Sequence, residues 1–70
     1  MGFTYKPLWK IMIDKDMKKK DLREILGFHS ITVAKMGKDE YVSMEALDKL
    51  CNYFGVSIEE IIEHIPDKEG

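Results

Sequence analysis

A single cysteine in seventy residues takes the disulfide staple away from this chain. With two histidines far apart in sequence and no Cys/His cluster, a structural metal is not available either. A chain this short buries only about 60% of the surface that its unfolded form exposes, so packing alone must hold it. The economical answer is a compact all-α bundle of short helices. No stretch approaches the roughly 20 apolar residues that a membrane span needs, and Lys6, Pro7 and Lys10 interrupt any leader-like apolar run. These features set the expected organisation: one domain over 1–70, an N-terminal arm at 1–6, a flexible tail at 66–70, and a reducing cytosol as its home.

The pattern predicts five helices. Pro7 suits a first helical turn, and a helix from about Pro7 to Lys15 turns Leu8, Ile11 and Met12 inward. Trp9 and Ile13 lie on an adjacent face that is too apolar for full exposure, which implies cover from the last helix or a second subunit. A second helix starts near Lys18 and buries Leu22, Ile25 and Leu26, with Gly27 closing it. A third runs from His29 or Ser30 to Met36. Only Val33 and Met36 give it a buried stripe, so Ser30, Ile31, Thr32 and Lys35 are left to face outward. A helix that lightly buried is better explained as presented to a partner than as core. The fourth is capped by Ser43, carries Met44, Leu47, Leu50, Cys51 and Phe54 at helical period, and ends at Gly55. Ser57-Ile58-Glu59-Glu60 reads as a capping box, with Val56 and Ile61 as its staple. The fifth helix that follows would bury Ile58, Ile61, Ile62 and Ile65 until Pro66 stops it.

The net charge of −2 hides a polarity. Residues 1–38 hold nine Lys/Arg against four acidic residues, and 39–70 hold two against nine. Such a molecule can orient on a polyanion although its total charge is negative. Lys18, Lys19 and Lys20 crowd a helix start, where amines oppose the macrodipole. Asp21, reaching back to the free N–H groups, offsets this in part. A local rule broken in this way points to a site, and amines beside a helix N-terminus can hold a phosphate oxygen. A solvated charged face is the plainer explanation of the triplet taken alone. Catalytic chemistry is not indicated. His29 and His64 have no partner at ligand spacing, Cys51 lies on an apolar helical face as core filler, and no phosphate loop or nucleophile motif is present.

Taken together, Leu8-Trp9-Lys10, Leu22, Gly27-Phe28-His29-Ser30, Thr32-Val33, Lys35-Met36, Val42 to Leu47, Leu50-Cys51 and Phe54-Gly55-Val56 resemble the Cro/C1-type (lambda-repressor-like) helix-turn-helix family. The resemblance covers about Tyr5 to Ile65. It implies a five-helix domain that binds double-stranded DNA as a repressor-like transcriptional regulator, with the third helix in the major groove. No cofactor and no small-molecule ligand are implied, and a homodimer on a palindrome is expected. By position, Ser30, Ile31 and Lys35 fall in base-reading slots, with Thr32 secondary. Lys18, Lys19, Lys20, His29, Lys38 and Ser43 fall at backbone contacts. Lysine donates well to guanine O6 and N7, and an outward isoleucine can meet a thymine methyl. The chain departs from the family at Arg23, where a small residue is usual, so the arginine must extend sideways. It departs again at Asp39-Glu40, which puts negative charge near the expected DNA backbone. The alternative use of such a fold is as a protein-interaction module, antitoxin- or anti-repressor-like, supported by the acidic second half.

Overall fold

In the computed structural model, which describes residues 2–66, a strand opens the chain (β1, Gly2–Thr4). Four helices follow: α1 (Lys6–Asp14), α2 (Lys19–Glu24), α3 (Ser30–Gly37) and α4 (Met44–Phe54). A single 3-10 turn at Ile58–Glu60 then leads into β2 (Glu63–Ile65). The strands pair antiparallel, with Gly2 opposite Ile65, Phe3 opposite His64 and Thr4 opposite Glu63. No helix among the described residues is long and apolar enough to cross a membrane. The tail expected at 66–70 lies outside the described residues apart from Pro66.

Two expectations are corrected here. The domain is mostly helical with a small sheet, not all-α, and it has four helices, not five. The N-terminal arm is a strand, and the predicted fifth helix is replaced by one 3-10 turn and β2. The Ser57 hydroxyl makes no capping bond. A helix from Ile58 to Ile65 would have been about two turns long, too short to be stable on its own. Its isoleucines are β-branched and favour extended backbone, and β1 offers a ladder to extended backbone but nothing to a helix. Ile61 still reaches the core, fully buried, while Ile58 and Ile65 stay 39% and 38% exposed.

The core is built from one or two side chains per element: Leu8 and Met12 from α1, Leu22 from α2, Val33 and Met36 from α3, and Ala46, Leu47 and Leu50 from α4. Ile61 closes it and Tyr5 flanks it. Ser43 caps α4 as expected, its Oγ accepting the Ala46 N–H at 3.1 Å, and Gly55 ends that helix in the left-handed region at φ 66°. Three residues expected inside are outside: Ile13, Ile25 and Met44, at 74%, 55% and 74% exposure. There are more apolar side chains than a domain of this size can cover, and these three lose the competition.

Asp39 ties the two ends of the helical layer together. It adopts φ 57° just past α3, a conformation that Asp tolerates better than most residues. Its Oδ1 accepts the Tyr5 N–H at 3.2 Å and the Thr4 hydroxyl at 3.3 Å. It therefore caps the start of α1 from across the fold. Tyr5 returns the link by donating its hydroxyl to the Glu40 carbonyl at 2.7 Å. Burial, and after it the neighbouring Asp39 carboxylate, pushes the Tyr5 hydroxyl above the ordinary tyrosine range, so it stays a donor. Asp39→Ala should cost about 2 kcal/mol, combining a lost cap with a strained backbone. Asp39→Asn, which keeps an acceptor and the tolerance for positive φ, should cost much less. Denaturant unfolding of the two variants checks this, and equal losses would remove the capping role.

Candidate nucleic-acid interface

The interface is built from α2, α3 and the 25–29 turn between them. α2 starts at Lys19 with Lys18 as its N-cap in extended backbone. Lysine has no lone pair with which to cap. The opposite half of the arrangement does the work: the Asp21 carboxylate reaches back to accept the Lys18 N–H at 2.8 Å. That carboxylate relieves the helix end and leaves the three ammonium groups, all on exposed residues, free for other partners. Gly27 sits at φ 78° in the turn, and the Phe28 N–H returns to the Leu22 carbonyl at 3.1 Å. Phe28 is buried at 9% exposure, which anchors the turn and sets where α3 begins.

α3 has two faces. Val33 and Met36 are buried, while Ser30, Ile31, Ala34 and Lys35 are exposed. Ile31 is 69% exposed, a large apolar side chain that the fold leaves without cover. Thr32 is half-buried and turns toward α4. There it lines a notch with His29, Ser43 and Lys49. The structure therefore brings Ser30, Ile31 and Lys35 onto one open helical face and sets Thr32 aside from it. His29 is the N-cap residue of α3, exposed, with no side-chain capping bond. Lys38 is the C-cap residue at the other end. Ser43 uses its oxygen as an acceptor and keeps its hydroxyl proton to donate.

The acidic obstacle expected at residue 39 is smaller than charge counting implies, because the Asp39 carboxylate is bonded back to Thr4 and Tyr5. Arg23 extends outward and is exposed, so it does not wedge α2 from α3. Two features escaped the sequence reading. Lys49, one of the two cations of the acidic half, lies 5.8 Å from the Phe28 ring centroid on the wall of the His29–Ser43 notch. Lys19 is not free-ranging, since its Nζ lies 5.0 Å from the Trp9 ring centroid. Among the described residues no three or more His, Cys, Asp or Glu converge to hold a metal ion.

Two short helices joined through a glycine turn, the second lightly buried with an open outer face and the first with amines at its start, define a helix-turn-helix unit. The chain belongs to the family of Cro/C1-type HTH DNA-binding domains, whose model matches residues 7–67. Among solved structures it is similar to the transcriptional regulator VanUg in a crystal structure of its form II, at 44% identity and a TM-score of 0.88, covering 94% of this chain and 88% of that one. No curated protein matches.

Proposed function

We propose that this domain is a sequence-specific, repressor-like transcriptional regulator that lays α3 in the major groove. The observation that carries this reading is the exposed face of α3, where Ile31 and Lys35 stand side by side with Ser30 on a helix otherwise fixed by Val33 and Met36. Lys35 reads guanine and Ile31 meets a thymine methyl. Lys18, Lys19, Lys20, His29, Lys38 and Ser43 hold the phosphates, which position the domain without specifying sequence. The family match and the likeness to a transcriptional regulator support this reading. One domain reads one half-site, so the working form is a homodimer on a palindrome.

A second reading, a protein-interaction module, is favoured by a different observation. An apolar groove of about 480 Å³ is lined by Phe3, Tyr41, Met44, Ile58 and Ile62, with Glu59 among them. Tyr41 and Met44 are 68% and 74% exposed. One experiment separates the readings: selection of bound sequences from random duplexes, followed by Lys35→Ala. DNA reading predicts an enriched, two-fold symmetric motif, with discrimination at one base pair per half-site falling by about 1–3 kcal/mol in the variant. No enrichment at low salt would leave the protein-interaction reading standing instead.

A further inference from the structure

We infer that Trp9 is a positioning residue for the Lys19 phosphate contact, acting through the face of its indole ring. The inference rests on the DNA reading given above. Lys19 is the first residue of α2, and its Nζ lies 5.0 Å from the centroid of the Trp9 ring on α1. The electron-rich face of an indole attracts a cation more strongly than any other aromatic side chain. A second, independent observation fixes the amine from the other side. A Cβ built on Gly37, the last residue of α3, would lie 3.3 Å from Lys19 Nζ. The amine thus sits where three helices meet, at the C-terminal end of α3, whose partial negative charge also favours a cation.

The platform is itself held in place. Trp9 packs at a tilt of 49° against Tyr5, 6.4 Å between ring centroids, and Tyr5 is 3% exposed and bonded to the Glu40 carbonyl. Lys19 remains an exposed residue, so a phosphate can approach an ammonium that is placed but not enclosed. A free lysine must surrender most of its rotamer freedom when it grips a phosphate. Here part of that ordering is done when the domain folds, so less is lost on binding. This also accounts for Gly37 late in a helix, because even alanine would press on the amine.

The test uses the full chain and a 30-base-pair duplex of mixed sequence, because the contact is to phosphate. In the free protein, the Lys19 side-chain protons should carry an upfield ring-current shift that Trp9→Leu abolishes. In titrations across a salt series, Lys19→Gln should weaken binding about tenfold near 0.1 M salt and lower the salt slope by about 0.9. Trp9→Leu should weaken it about two- to fivefold and do nothing further in the Lys19→Gln background. Trp9→Phe, which keeps a π face, should retain most of the affinity. Gly37→Ala should weaken binding while leaving thermal stability unchanged or raised, since alanine is the better helix former; a purely structural role would move both together. Equal losses from Trp9→Leu with and without Lys19, or no ring-current shift, would overturn the positioning role alone. A wild-type protein that binds no duplex, with the ring-current shift intact, would overturn the DNA reading and this role with it.

Discussion

Leu22→Ala should leave most of the molecules unfolded at 37 °C, whereas Ile25→Ala, three residues along the same helix, should be nearly silent. Leu22 is fully buried and is the only side chain of α2 inside the core. Its truncation removes the anchor of a six-residue helix and leaves a cavity between α2 and its neighbours. Core Leu→Ala changes cost about 2–5 kcal/mol. A core in a chain of this length supplies only about 3–5 kcal/mol in total, so one substitution consumes most of the margin. In melting temperature the loss corresponds to roughly 10–30 °C. Ile25 is 55% exposed, and an exposed truncation stays within about 0.5 kcal/mol. Thermal melts followed by circular dichroism decide the matter. If the two variants fall together, α2 is rotated relative to the arrangement described here.

That pair of residues also shows what the sequence contains and what it lacks. Leu22, Ile25 and Leu26 share one helical face on paper, and periodicity treats them alike. Periodicity identifies which side chains would gain from burial, but not which of them find a neighbour. With a helix of six residues, ending at Glu24, only Leu22 is placed well enough to be enclosed. The same limit applies to Met44, which sits on the apolar stripe of α4 yet remains exposed. α1, α3 and α4 were legible because each has caps and a period that agree. The end of the chain was not legible, because Ser57 to Ile65 satisfies the local rules for a helix and the deciding partner, β1, lies about sixty residues away in sequence.

The open face of α3 was legible for a simple reason: a helix with two buried residues must leave the others outside. The indole platform under Lys19 and the inward turn of Asp39 were not. Trp9, Lys19 and Gly37 lie on three different helices, and Asp39 reaches back 34 residues to Tyr5. No local pattern joins residues that distant. The signals that existed were indirect. One was a tryptophan on a face too polar to be core. The other was an aspartate following a helix end, where a left-handed residue is wanted.

Neutralising the lysine triplet should move stability and affinity in different directions, which makes it the more informative of the two large changes. Lys18→Gln, Lys19→Gln and Lys20→Gln together remove three positive charges from the start of α2. Each phosphate contact contributes about 0.9 to the slope of log K against log salt, so the slope should fall by about 2.7. Affinity near 0.1 M salt should fall a few hundredfold, uniformly across duplex sequences. The fold should not suffer. Asp21, which bonds to the Lys18 N–H, remains, and removing cations from a positive helix end is favourable by a few tenths of a kcal/mol each. The melting temperature should therefore hold or rise while DNA binding collapses. A triplet present only as a solvated face would give the stability gain without the loss of affinity. One needed to hold the fold would lose both, and salt titrations run beside thermal melts on the same sample distinguish the three outcomes.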